Sequence, residues 1–203
     1  MSFDCALRHD MQHAMSLHEK LTSPHTARLT VDDFLVLDRS GAFDSYSKTE
    51  LIDGRIIVVN AQYSEHMMAK VTMLRRLADA CDALGGGLQA WSEGSIAMAP
   101  SSMPEPDLFI TNQRPKSGPV QIETVVLIAE ISDTSAKYDL GTKLRLYARA
   151  GVPEYWVVDL EAGKLHQMWS PAAKGYAEKR EVALGERVES VTIAGLAVET
   201  GGV

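Results

Sequence analysis

Alternating hydrophobic and polar positions divide the chain into short strands separated by turns. Asp53-Gly54 lies between two apolar runs within residues 49–59, which predicts a hairpin because both turn residues take positive φ. Residues 124–132 are apolar on both faces, as in a central strand covered on both sides. Shorter strands are predicted over residues 88–92, 95–99, 106–111, 154–159 and 164–169.

Helical periodicity separates these strands. Thr30 is placed to cap a short helix. A second helix is predicted from Ser64 to Leu84, and a third over residues 139–150 ends at Gly151. The order of elements predicts an α/β fold, a mixed, curved β-sheet flanked by helices with a β-rich C-terminal tail. The second helix is expected to bury a stripe formed by Met67, Val71, Leu74, Ala78, Cys81 and Leu84.

Composition is that of an ordinary folded protein. Of 203 residues, 45% are hydrophobic and 23% are charged, which excludes wholesale disorder. The length fits one domain, predicted over residues 29–203, after an N-terminal extension over residues 1–28 that we expect to be mobile at its start. No apolar run is long enough for a transmembrane helix, and the first 20 residues lack the apolar core of a secretory signal.

Charge narrows the functional classes. Twenty Lys and Arg against 27 Asp and Glu give a net charge of -7, which argues against a histone-like protein that binds nucleic acid through bulk charge. An acidic metal site that acts on nucleic acid stays compatible with this balance. The two cysteines lack redox or metal-binding spacing, so we expect reduced thiols in a cytoplasmic protein.

Three charged residues stand out in the middle of the chain. Glu130 shares a strand face with Val126 and Ile128, and an ionised carboxylate there costs several kcal/mol unless it is paired or binds a cation. Placing helical residues about 100° apart puts Lys143 on the apolar side of its helix. Asp107 begins a strand after Pro106. Such an Asp, Glu and Lys set suits a phosphodiester-cleaving site in which the carboxylates hold Mg²⁺ or Mn²⁺.

The inward position of Lys143 calls for an anionic partner inside the protein. Asp139, four residues earlier, is one candidate through an ordinary helical pair. A carboxylate on the facing sheet explains the inward position better. Tyr147 lies one turn further and is placed either to hydrogen-bond such a carboxylate or simply to pack.

Four segments carry a resemblance to a known family. They are ELIDG at 50–54, PDLFI at 106–110, AEISD at 129–133 and a long helix-to-strand stretch over 138–159 that contains PEYW. Together they resemble the Uma family of restriction endonuclease-like proteins, within the PD-(D/E)XK nuclease superfamily, over about residues 28 to 169. The long stretch is the most specific of the four.

The resemblance implies a metal-dependent endonuclease, with DNA as the expected substrate. It implies that Asp107 and Glu130 bind the metal and that Glu50 is a further acidic residue of the site. The superfamily places a lysine two residues after the glutamate, where this chain has Ser132, so the lysine function is expected on Lys143. The alternative is a nuclease fold without catalysis that binds nucleic acid or a protein. A homodimer is expected because two cuts in a duplex suit two-fold symmetry.

Some neighbouring residues receive simpler interpretations. Lys137 precedes the helix and is expected to be solvated, which makes it a weaker substitute for Lys143. His66, in the first turn of its helix, is placed either to line the cleft or to be partly exposed, and partial exposure is the expectation. Tyr155 and Trp156 are expected to belong to the core rather than to stack on bases.

Overall fold

The computed structural model describes residues 26–59 and 64–203. Most of the predicted N-terminal extension, residues 1–25, lies outside this description. The helices are α1 (Val31–Arg39), α2 (Ser64–Leu84), α3 (Ala136–Tyr138) and α4 (Leu144–Arg149). The strands are β1 (Lys48–Ile52), β2 (Arg55–Val59), β3 (Gln89–Ser92), β4 (Ile96–Ala97), β5 (Leu108–Thr111), β6 (Val120–Gln121), β7 (Val125–Ser132), β8 (Glu154–Asp159), β9 (Lys164–Ala172), β10 (Gly175–Ala183), β11 (Arg187–Glu189) and β12 (Ala197–Glu199).

Six strands form a mixed sheet in the order β10-β9-β8-β7-β5-β3. The strand β7 lies inside it, antiparallel to β5 and parallel to β8, and the helical segment between β7 and β8 provides the crossover that a parallel pair requires. On one face, the fully buried Met73 and Leu77 of α2 pack in one cluster with Trp156 of β8 and with residues of the β11–β12 pair. Leu146 and Tyr147 of α4 cover the other face. The apolar run of β7 is thus explained as predicted, since both of its faces are buried.

The hairpin β1–β2 forms at the predicted turn. Ile52 pairs with Arg55, which leaves Asp53 and Gly54 as a two-residue turn with φ of 48° and 73°. A Cβ on Gly54 would lie 2.6 Å from the Cβ of Arg28, so both its backbone conformation and its packing require glycine. The turn therefore docks against the segment that leads into α1, whose N-cap Thr30 forms a capping box with Asp33.

The buried face of α2 differs from the predicted stripe. Met67, Val71 and Leu84 are exposed by 54%, 42% and 39%, so that part of the prediction is wrong. The reason is that the first turns of α2 face carboxylates instead of an apolar core, and a polar inner face carries no hydrophobic signal. The residues that α2 buries are His66, Ala69, Lys70, Met73, Leu77 and Cys81.

The helical segment before β8 starts earlier than predicted and is irregular. It begins with α3 and passes through a π-helical stretch, Asp139–Lys143, in which the N–H of Leu144 donates to the carbonyl of Asp139. Such wide turns are frequent at functional sites. Regular α geometry resumes in α4, so Lys143 and Tyr147, four residues apart, share one inward face.

The C-terminal strands divide between the central sheet and a separate pair. The strands β9 and β10 extend the central sheet at one edge, whereas β11 and β12 form an antiparallel pair of their own. Arg76 of α2 fastens the final segment by donating to the carbonyls of Glu199 and Gly201 at 2.6 and 2.5 Å. Within the described residues, no helix combines the length and the apolar character needed to cross a bilayer.

Glu154, in the PEYW segment, is a buried structural anchor. Its side chain is fully buried, and its two oxygens accept six hydrogen bonds from groups on three parts of the chain. Burial alone would raise its pKa, but these hydrogen bonds hold the pKa below its usual range. The donors are Trp156 Nε1, Gln167 Nε2, Ser190 Oγ, Val191 N, Thr192 N and Thr192 Oγ.

Removing this anchor is expected to destabilise the fold. Glu154→Ala leaves several buried donors without an acceptor, which should cost about 3–5 kcal/mol of unfolding free energy in denaturant titrations. Because the pKa of Glu154 is depressed in the folded protein, its stabilisation is present above the unfolded pKa of about 4.3 and is lost as the pH falls. If Glu154→Ala had the same free energy of unfolding as wild type, these hydrogen bonds would make no net contribution to stability.

Candidate active site

Asp107 and Glu130 meet where the strand β5 begins and its antiparallel neighbour β7 approaches its end. Leu108 pairs with Ala129, so Asp107 lies beside Glu130 at the next position of the ladder. Glu130 Oε2 accepts from the N–H of Asp107 at 3.2 Å. Both side chains line one cavity of about 540 Å³, together with Glu50 and Lys143. The structure thus brings together all four residues singled out from the sequence.

Glu130 is held by the helix that crosses behind the sheet. Its Oε1 accepts from Lys143 Nζ at 2.9 Å and from Tyr147 Oη at 2.7 Å. The expected partner of Lys143 on the facing sheet is therefore present. The hydrogen-bonding role considered for Tyr147 is also present. These two donors satisfy a carboxylate that is only 2% exposed.

Glu50 reaches the same lysine from the β1–β2 hairpin. Its Oε1 accepts from Lys143 Nζ at 3.2 Å and from the N–H of Glu105 at 3.0 Å. Its Oε2 is buried and has no hydrogen-bond partner among the described residues. One ammonium group thus lies between two buried carboxylates that are distant in sequence. This arrangement keeps Lys143 close to the cavity wall formed by Glu50 and Glu130.

Asp107 is held from the opposite side, by α2. Its Oδ2 accepts from the N–H of Ile131 at 3.0 Å and lies 3.2 Å from His66 Nε2. Its Oδ1 lies 3.7 Å from Lys70 Nζ, which also pairs with Glu93 at 2.6 Å. Burial would raise the pKa of Asp107, but the hydrogen bond and charge of His66 and the Ile131 N–H hold that pKa below its usual range.

Burial sets the direction of the pKa shift of Glu130, whereas neighbouring charges set that of Lys143. It raises the pKa of Glu130 to about 8, against the lowering effect of Lys143, and the charge of Asp107 adds to the rise. Burial alone would lower the pKa of Lys143, but the charges of Glu130 and Glu50 raise it above its usual range. Lys143 therefore stays protonated at neutral pH and acts as a charge or a donor rather than as a base.

The raised pKa of Glu130 predicts a pH-dependent stability in metal-free protein. Between about pH 4.3 and 8 the folded state keeps a proton that the unfolded state has lost, so stability falls as the pH rises through this interval. One proton allows at most about 1.4 kcal/mol per pH unit. Glu130→Gln should flatten this slope in melts made with a chelator between pH 5 and 9, and an unchanged slope would contradict the assignment.

Comparison with known proteins identifies the family. Residues 31–200 match Uma2, described as putative restriction endonuclease. The chain belongs to the Uma2 family. The match continues past residue 169, so the C-terminal strands are part of the Uma2 region, as their place in the sheet already indicates. The family supports a nuclease as the coarse function.

A solved structure supports the same fold for this Uma2 chain. A putative nuclease belonging to DUF820 from Anabaena variabilis superposes with a TM-score of 0.62 at 15% sequence identity. The alignment covers 80% of this chain and 89% of that one. At this identity the similarity shows the fold, an α/β architecture with a mixed sheet flanked by helices, as predicted. No curated protein sequence matches the chain.

The side chains of the Uma2 site suit a hard divalent cation. Asp107, Glu130 and Glu50 offer carboxylate oxygens, the ligands that Mg²⁺ and Mn²⁺ prefer. The buried Glu50 Oε2, without a partner among the described residues, is an acceptor that a cation or a water on it would satisfy. Across residues 26–59 and 64–203, no three His, Cys, Asp or Glu side chains form a metal cage, but Mg²⁺ is usually held by one or two carboxylates and keeps several waters.

The structure places His66 and Lys70 beside Asp107, in addition to the residues expected at this Uma2 site. His66 is only 7% exposed, so the expectation of a partly exposed first-turn histidine is wrong. Lys70 is also buried, and its place near Asp107 was not predicted. Their four-residue spacing on α2 was the available signal, because such a pair faces one side of a helix. The other interpretations hold, since Lys137 is exposed and Tyr155 and Trp156 are fully buried.

Proposed function

We propose that this protein is a metal-dependent endonuclease that hydrolyses phosphodiester bonds in DNA. The observation that carries the proposal is the Lys143 ammonium group, 2.9 Å from Glu130 and 3.2 Å from Glu50, in a cavity that Asp107 also lines. A buried lysine between carboxylates beside an aspartate is the charge pattern expected of a phosphodiester-cleaving site. Membership of the Uma2 family supports the same chemistry.

Asp107 and Glu130 are the residues that would hold Mg²⁺ or Mn²⁺. Such an ion supplies Lewis-acid polarisation of the phosphate and lowers the pKa of a bound water. Glu130 would have to be ionised to hold the ion, because only the ionised carboxylate binds such an ion well. Metal affinity should therefore increase with pH up to about 8, the pKa of Glu130 in the metal-free site.

Lys143 is assigned the electrostatic role. Because its pKa is raised, the ammonium group is suited to orient the attacking water and to balance the charge that grows on the phosphate oxygens. Tyr147 and Glu50 are positioning residues in this scheme. Tyr147 fixes Glu130 Oε1, and Glu50 holds the ammonium group from the hairpin side.

The proposed setting is a cytoplasmic homodimer. Each copy would cut one strand of a duplex, which two-fold symmetry makes geometrically simple. Light scattering on the purified protein, with and without duplex DNA, measures the assembly. A monomer under both conditions would restrict the proposal to single cuts.

The deciding experiment is a cleavage assay with several nucleic acids. Duplex DNA, single-stranded DNA, a branched junction and RNA are incubated with Mg²⁺, with Mn²⁺ or with a chelator. We expect cleavage of DNA only when a metal is present. Ser132, at the position where the superfamily has its lysine, favours the alternative of a binding domain without catalysis. That alternative predicts nucleic-acid binding in gel shifts and no cleavage with either metal.

A further inference from the structure

The two carboxylates of the site are held by matching pairs of side chains on opposite layers. Lys143 and Tyr147, four residues apart, both donate to Glu130 Oε1. His66 and Lys70, also four residues apart, approach the two oxygens of Asp107 from α2. Residues at this spacing lie above one another on a helix, so each helix presents a two-residue clamp to one carboxylate.

The imidazole of His66 contacts one oxygen of Asp107. Nε2 lies 3.2 Å from Oδ2, and an ionised carboxylate only accepts, so Nε2 carries the hydrogen. Oδ2 also takes the N–H of Ile131 at 3.0 Å. Two donors therefore engage Oδ2 and fix the orientation of the carboxylate plane.

Stability alone does not explain a histidine at this position. Its Nδ1 is buried and has no hydrogen-bond partner among the described residues. A buried polar atom in that state costs about 1–3 kcal/mol. An apolar residue here would avoid this cost, as the buried Ala69 and Met73 do on the same helix. The contact with Asp107 is what the histidine adds.

We infer that His66 is a positioning residue for the metal-binding carboxylate, fixing the orientation of Asp107 by holding Oδ2. This inference rests on the proposed function, in which Asp107 binds the metal. It follows the general pattern in which a group that hydrogen-bonds a ligand sets its orientation and affinity.

Two amide variants test the inference with matched chemistry. In His66→Gln the side-chain nitrogen can take the place of Nε2 and still donate to Asp107. In His66→Asn the amide is one bond shorter, so its nitrogen occupies the place of Nδ1 and does not reach. The surface variant Met68→Ala, at a residue 65% exposed on the same helix, is the control. Thermal melts of the metal-free proteins establish that all three are folded.

The readout is the dissociation constant for Mn²⁺ from titration calorimetry, with no nucleic acid present. We expect His66→Asn to bind Mn²⁺ about 10- to 100-fold more weakly than wild type, and His66→Gln to stay within about threefold. Met68→Ala should bind like wild type. Equal affinities in the Gln and Asn variants, whether strong or weak, would overturn the role of His66 and leave the nuclease proposal standing. A wild-type protein that binds no Mn²⁺ would overturn both.

Discussion

Lys143→Met is expected to lower the rate of DNA cleavage by about 10²-fold or more while metal binding survives. The substitution keeps the length and the apolar stem of the side chain but removes the ammonium group that Glu130 and Glu50 share. A group that stabilises transition-state charge is typically worth this much. Metal binding should be at least as strong as in wild type, because the variant removes a cation from beside the carboxylates.

The comparison needs a control for folding and for surface charge. Arg145→Met, at an exposed position two residues further along the chain, should match wild type in both assays. Lys143→Arg keeps the charge and serves if Lys143→Met melts too low, since an unpaired buried carboxylate costs stability. Cleavage by Lys143→Met at the wild-type rate would remove Lys143 from the mechanism. Lys48, which lines the same cavity, would then be tested next.

Asp107→Asn is expected to abolish both metal-dependent stabilisation and cleavage. In wild type, an ion at 100 times its dissociation constant should add about 2.7 kcal/mol of stability, seen as a rise in melting temperature. The asparagine keeps the shape of the side chain but loses the charge that attracts the cation. Cleavage should fall by more than about 10³-fold, beyond the 10- to 100-fold typical of residues that only support a ligand.

A second aspartate on the molecule provides the matched control. Asp79→Asn, exposed on α2, makes the same chemical change away from the cavity and should behave like wild type. The metal-free melting temperature of Asp107→Asn reports whether the contacts with Ile131 and His66 persist. A metal-induced rise in melting temperature equal to that of wild type would show that Asp107 is not a ligand.

The sequence correctly predicted those turns and helix caps whose conformation depends on residues nearby in the chain. The Asp53-Gly54 turn and the Thr30 capping box form as expected, because their conformations depend on neighbours within a few residues. The inward direction of Lys143 also followed from helix periodicity, although the preceding turn is π-helical. The family resemblance, carried by four short segments, led to the nuclease fold that the comparisons support.

The PEYW segment carries part of the family resemblance, but its glutamate has a structural role. It belongs to the most specific stretch of the sequence pattern, yet Glu154 is fully buried and serves as an acceptor for groups that hold the last strands in place. A strongly patterned glutamate therefore does not mark the reaction centre here. Glu154 and Glu130 obey the same rule that a buried carboxylate must be paired, and they differ in the partners that the tertiary structure gives them.

The sequence by itself determined the order of helices and strands, the turns between them and three charged residues that needed partners. Only the tertiary structure decided which residues are the partners of these charged side chains. Glu50 meets Lys143 across 93 residues of chain, and His66 meets Asp107 across a boundary between helix and sheet. Hydrophobicity could not predict which face of α2 is buried, because the first turns of this helix pack on carboxylates. Hydrophobic periodicity reports burial in an apolar core, whereas a buried polar site is defined by contacts between distant segments.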